Sequence, residues 1–194
     1  GEIFIDGENL LTISRNEIAK KIAYLSQGKN IPDMTVEQMV LHGRFPYLSY
    51  PRRYSSHDRE VAIKAMEIVG VAEFAHKPLY SLSGGMRQNA YIAMALAQDT
   101  DYILLDEPTT YLDIAHQLEL MRILRKLADS GKGIVTVMHN LPIAFDFSDK
   151  LTVMSNGKII AYGTPSEICE SHIVEDIFGV KIKQVQKGKY LYEY

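Results

Sequence analysis

Apolar residues along this chain fall into runs that alternate between strand and helix spacing. Ile3 to Ile5 followed by Asp6-Gly7 reads as a strand and turn, and Ile22 to Leu25 as a second short strand ending at Ser26-Gln27. Thr35 to Leu41 predicts a short helix, because Thr35 and Gln38 have the spacing of a capping box and Gly43 suits a left-handed residue past its end. An aromatic, proline-marked loop covers Arg44 to Ser56. Asp58 to Val69 places Val61, Ala65, Ile68 and Val69 on one helical face closed by Gly70, and Leu82 to Ala97 repeats Ala90, Ala93, Met94 and Ala97 at helical spacing. Residues 32–97 therefore read as a mainly helical insert with strands on either side.

Tyr102 to Leu105 is a continuous apolar run of the kind buried on both faces of a parallel sheet. A helix follows, with Leu120, Ile123, Leu124 and Leu127 on one stripe and a stop near Gly131, then the β-branched strand Ile134 to Met138. Strand, helix and strand make one βαβ unit, and both strands deliver polar residues, Asp106-Glu107 and His139, at their carboxyl ends, where open α/β sheets bind ligands. Leu151 to Tyr162 predicts a hairpin turning at Asn156-Gly157, and Thr164-Pro165-Ser166-Glu167 a capped helix start. Lys181 to Gln186 and Tyr190 to Tyr194 suggest a last strand pair. The expected class is α/β.

Composition narrows the partners. A length of 194 residues with 46% hydrophobic residues supports one sizeable core, and a net charge of −3 supplies no global basic field for nucleic acid or anionic lipid. The single Cys169 excludes an internal disulfide framework and suits a reducing compartment. No stretch approaches the roughly 20 apolar residues that span a bilayer, so the chain is expected to be soluble and cytoplasmic. It opens at Gly1 directly into a strand, which reads as a piece from which an upstream segment has been removed.

The candidate chemistry lies in Leu82-Ser83-Gly84-Gly85-Met86-Arg87-Gln88 and in Asp106-Glu107. A serine N-cap followed by glycines leaves backbone N–H groups unshielded at the positive end of a helix, a place for a phosphate oxygen. An ordinary capped helix would use the same Ser-Gly-Gly, but the full heptapeptide ahead of an Asp-Glu strand favours the anion site. Asp106 is the expected magnesium holder and Glu107 the residue that polarises an attacking water. A bare Asp-Glu also begins many solvated loops; Pro108-Thr109-Thr110 and Asp113 extend it here. His139 is expected near a terminal phosphate, and Gln27 near metal and water, whereas His42, His57, His76, His116 and His172 read as structural. The Gly-x-x-x-x-Gly-Lys-Ser/Thr cradle does not occur: the Gly-Lys pairs at Gly28, Gly131, Gly157 and Gly188 are followed by Asn30, Gly133, Ile159 and Tyr190.

In this order, these residues resemble the nucleotide-binding subunits of ATP-binding cassette (ABC) transporters, end to end: a Gln-loop at Gln27, a helical subdomain, a signature at Leu82 to Gln88, a Walker B segment at Tyr102 to Glu107, a D-loop at Tyr111-Leu112-Asp113 and a switch histidine at His139. Leu112-Asp113-Ile114 with His116-Gln117, His42-Gly43-Arg44 with Pro46-Tyr47, and the C-terminal hairpin with Gly163-Thr164-Pro165 resemble the branch that imports iron siderophores, haem and vitamin B12. The resemblance implies a P-loop NTPase-type three-layer fold, N-terminally truncated. It divides the chain into a remnant of the catalytic core (1–31), the helical signature subdomain (32–97) and the core continuation with the C-terminal hairpin and helices (98–194). ATP and Mg2+ are the implied cofactors. Glu107, His139 and Gln27 are implied as catalytic residues, and Asp106 with Gln27 as metal holders. Ser83, Gly84, Gly85 and Gln88 would act on the ATP of a second subunit in a homodimer, and Asp113 would carry contact between the sites. Transmembrane permease subunits are the further implied partners, received by the groove of Gln27 and the aromatic loop, and they place the subunit at the inner face of the cell membrane.

Departures accompany the resemblance. The missing cradle implies a chain inactive by itself, while Asn89 and Asn140 stand where an arginine and an aspartate are common. Two alternatives remain: a non-catalytic fragment or dimerisation scaffold, and a soluble ABC ATPase unconnected with transport. Against the latter, the insert is short and the chain has one signature. Arg44, Arg52 and Arg53 among Phe45, Tyr47, Tyr50 and Tyr54 could contact RNA, but basic aromatic loops also suit protein contacts and the net charge is negative.

Overall fold

The computed structural model describes residues 1–26, 31–110 and 112–193, and in it the chain forms two units, 1–137 and 138–194. The first opens with a hairpin, β1 (Phe4–Ile5) and β2 (Glu8–Asn9), across Asp6-Gly7. Helix α1 (Arg15–Lys21) follows, closed at its start by a reciprocal Ser14/Glu17 capping box. It is not among the expected elements, although Ser14-x-x-Glu17 carries that spacing. β3 (Ile22–Leu25) then enters the main sheet.

The insert is helical as expected. α2 (Val36–His42) starts at the Thr35/Gln38 capping box, α3 (Ser56–Ile68) at a Ser55/Asp58 box, and α4 (Gly84–Ala97) at Ser83. Two details differ from expectation. Gly43 is right-handed, with φ −57°. The residue is small because a Cβ there would run into the Met94 carbonyl and lie 3.0 Å from the Gln98 amide nitrogen, where the end of α2 crosses α4. On α3 the buried positions are Asp58, Ala62, Ala65 and Met66, whereas Ile68 is exposed. Asp58 is buried with a partner: its carboxylate accepts Arg44 Nε at 2.9 Å, and Arg44 Nη1 donates to the Ala97 carbonyl at 3.0 Å. With its guanidinium also 4.0 Å from the centroid of the Tyr47 ring, Arg44 fastens α3 to the end of α4 and is unavailable to RNA.

β4 (Tyr102–Asp106), α5 (Ile114–Asp129) and β5 (Gly133–Val137) form the expected βαβ unit. All pairings are parallel and the strand order is β3-β4-β5. Ala23, Leu25, Ile103 and Leu105 are buried on one face of this sheet, while Tyr24 and Val135 on the other are exposed. The run in β4 thus alternates instead of being covered on both faces, since residues alternate sides along a strand.

The second unit begins at Met138. It contains α6 (Leu141–Phe147), the hairpin β6 (Leu151–Ser155) with β7 (Lys158–Gly163), α7 (Pro165–Glu170), α8 (Ile173–Phe178), and the pair β8 (Lys181–Gln186) and β9 (Lys189–Glu193). Asn156 and Gly157 both have positive φ, as a type I′ turn requires. The Thr164/Glu167 capping box and the proline in the first turn of α7 are present. Phe145, Val153, Ile168, Val174 and Tyr190 form the core of this unit.

Candidate functional site

β4 ends at Asp106, half-buried opposite Val137 of β5. At Glu107 the backbone turns left-handed, φ 49°, while its amide still donates to the Val137 carbonyl at 3.1 Å. For a residue with a Cβ this conformation costs on the order of 1–2 kcal/mol. The buried Pro108 and Thr109 beyond it anchor the turn, and the Thr110 hydroxyl donates to Glu107 Oε2 at 3.1 Å. The carboxylate is therefore held over its own turn by a partner that the sequence reading leaves without a role. Strained backbone of this kind concentrates at sites whose geometry matters for function.

Asp113 caps α5. Its carboxylate accepts the His116 amide at 2.9 Å and faces His116 Nδ1 at 2.8 Å. These bonds, the amide's first, hold its pKa below the usual carboxylate range. Gln117 Nε2 donates to the Leu112 and Thr109 carbonyls at 2.9 and 3.4 Å, whereas its buried Oε1 has no hydrogen-bond partner among the described residues.

At the start of α4, Ser83 Oγ accepts the Met86 amide at 3.3 Å. Ser83 and Gly84 are exposed, and Gly85 and Gln88 half-buried. The first amides of a helix have no intrahelical acceptor. Neither glycine has positive φ, and a Cβ on Gly85 would meet His116 and Leu112 only at ordinary contact distances, 3.5 and 3.6 Å. Nothing inside the unit demands a glycine at position 85. Bare amides at a helix start suit an anion.

The first unit thus brings together Asp106, Glu107 and Thr110, and sets Gly85 against Leu112 and His116 of the D-loop segment. His139, exposed between β5 and α6, lies in the second unit, and Gln27 lies outside the described residues. Asn89 donates to the Val69 carbonyl at 2.9 Å and Asn140 caps α6, so both departures have structural work. Among the described residues no three His, Cys, Asp or Glu groups converge on a metal position. Asp106 offers the hard oxygen that Mg2+ takes, which fits a cation whose other ligands come from nucleotide phosphates and water.

A family model described as ABC transporter matches residues 1–110. The petrobactin import ATP-binding protein FpuD of Bacillus anthracis is 41% identical over 92% of this chain and 66% of its own length. The ferric enterobactin transport ATP-binding protein FepC of Escherichia coli is 39% identical over 93% and 68%. The chain belongs to the ABC transporter family. Among solved structures, the dimeric cassette MJ0796, a bacterial ABC transporter cassette by its description, superposes with a TM-score of 0.72 at 27% identity, covering 85% of this chain and 73% of that one. The chain spans about two thirds of the length of the curated relatives above. It is an ABC-type, ATP-binding and ATP-hydrolysing subunit, and family membership brings ATP and magnesium with it.

Two expectations are corrected here. A family member lacking its N-terminal cradle segment, and a truncated fold, do not stand. The family match starts at residue 1, and the curated relatives align over 92% or more of the chain, so its first residue says nothing of a loss.

Proposed function

We propose that this chain is the ATPase subunit of an importer for iron(III)-siderophores. The support for the cargo is the names of the relatives, which import petrobactin, ferric enterobactin and, in Bacillus subtilis, iron(3+)-hydroxamate. The haem and cobalamin readings find no such support among them. ATP lies between two copies of the subunit. Asp106 holds the magnesium and Glu107 takes the proton of the attacking water on one copy, while Ser83, Gly84, Gly85 and Gln88 of the other grip the γ-phosphate. Gln27 and His139 complete the hydrolytic side, and Asp113 relays between the sites. The threefold division 1–31, 32–97 and 98–194 describes these functional parts, and the groove beside Gln27 receives the permease. Among the described residues no helix is long and apolar enough to cross a membrane, which accords with a subunit docked at the inner face of the cell membrane.

The observation that carries this reading is Glu107, strained at the end of the central strand with its carboxylate steered by Thr110. Glu107→Gln keeps the size and removes the base, so ATP turnover should fall about a hundred- to a thousandfold with ATP still bound, as expected for loss of a general base. Steady-state hydrolysis alongside equilibrium ATP binding reads both. Turnover at the unchanged rate would refute the role of Glu107.

A further inference from the structure

One side chain lies between the two surfaces that the proposed function assigns to a second subunit. His116 Nδ1 lies 2.8 Å from each carboxylate oxygen of Asp113. A carboxylate only accepts, so Nδ1 carries the proton and donates. The hydrogen bond fixes the ring and turns its Cδ2 edge towards the start of α4. There it covers Gly85: a Cβ at that position would stand 3.5 Å from Cδ2 and 3.6 Å from Cγ, with Leu112 Cδ2 beside it at 3.6 Å.

The ring is not needed to build the helix. Asp113 already caps α5 by accepting the His116 amide at 2.9 Å, and with the His116 and Asp113 side chains 49% and 66% exposed the pair adds little stability. Its distinctive effect is geometric. The ring reaches from the Asp113 carboxylate towards the first turn of α4, where it bounds the space beside Gly85, a residue 28 positions away in sequence.

We propose that His116 is a positioning residue that locks Asp113 to the first turn of α4, so that the signature and the D-loop present themselves to a second copy of the chain in one fixed relative geometry. The inference rests on the reading of Ser83 to Gly85 and Asp113 as facing that copy. The ring touches no reacting atom; it acts through Asp113 and Gly85.

The test measures kcat and KM for magnesium-ATP, with thermal midpoints, in the full protein and in His116→Ala, His116→Asn, His116→Phe and Gly85→Asp. His116→Ala should lower kcat about tenfold with KM within about twofold, the split expected when alignment for the reaction is lost but ground-state binding is kept. Its midpoint should stay within about 2 °C, since an exposed ion pair adds little to stability. His116→Asn keeps a donor for Asp113 and His116→Phe keeps the ring against Gly85, so each should recover part of the loss. Full turnover in His116→Ala while Gly85→Asp is inactive would overturn the inference alone. So would a kcat loss accompanied by a midpoint fall of more than about 5 °C, which marks a merely structural residue. Full turnover in Gly85→Asp would overturn the reading beneath it.

Discussion

The two ends of α4 are built by opposite rules. At its C-terminal end every demand is met from inside the unit. Gly43 lies under the Met94 carbonyl, Arg44 bonds the Ala97 carbonyl and Asp58, and Gln98 reaches back to the carbonyls of Ala19 and Ile22. At its N-terminal end Ser83 and Gly84 are exposed, and Gly85 is a glycine that no clash or positive φ explains. The first end is consumed by the fold. The second holds features the fold does not use, which is why the proposed function gives them to a ligand and a second subunit.

The sharpest way to break this contrast is Arg44→Ala. Asp58 would remain buried without its cation, which typically costs 3–5 kcal/mol, roughly a 10 °C fall in midpoint for a domain of this size. Any loss of turnover should track unfolding and vanish on cooling. Arg44→Met with Asp58→Leu removes both charges and should recover most of the stability. A double variant no better than the single would show that the pair is not the fastening.

Next in size is Gly43→Ala. The added methyl meets backbone at the helix crossing, where nothing flexible can give way, and overpacking of this kind costs about 1–3 kcal/mol. Chemical denaturation reads it. An unchanged midpoint would mean that α2 and α4 can separate freely.

Much of this was legible in the sequence. β3 matches the apolar run Ile22 to Leu25, and the capping boxes at Thr35 and Thr164 lie where their spacing put them, because strands and caps are specified by neighbours in the chain. What escaped depends on residues distant in sequence. Gly43 has the spacing of a helix stop, but its reason lies about 50 positions away in α4. Arg44 among aromatic residues reads equally as a nucleic-acid surface until Asp58 is found beside it. At the candidate site, motif order proposes Asp106, Glu107 and Asp113, whereas the hydrogen bonds of Thr110, His116 and Gln117 join residues in ways that a linear pattern does not express.

A smaller effect follows from pH. Burial pushes the Asp58 carboxyl up, but hydrogen bonds from the Ser55 hydroxyl and amide and from Arg44 outweigh it and bring the pKa down to about 2. A depressed folded pKa stabilises fully above the unfolded value of roughly 3.9 and is lost as pH falls towards the folded one. About 2 kcal/mol should therefore disappear between roughly pH 4 and pH 2. Denaturation midpoints across that window read the loss, and the Arg44→Met, Asp58→Leu double variant should lack this part of it. An identical acid profile in that variant would assign the titration to other carboxylates.

The smallest expected change in stability belongs to Gly85→Ala, and it tests the open end of α4 directly. The methyl finds ordinary contact with His116 and Leu112 at 3.5 and 3.6 Å. Alanine is a better helix former than glycine by up to about 1 kcal/mol in a helix interior and by less in a first turn, so the midpoint should hold or rise slightly. Turnover should nevertheless fall about tenfold, because the methyl fills the space between the first turn of α4 and His116 and so disturbs the seating of the bare amides proposed to receive a phosphate. Gly43→Ala should show the reverse, with lost stability and, in the molecules still folded, retained turnover. If Gly85→Ala kept full activity, this glycine would have no external reason, and the two ends of α4 would no longer differ in kind.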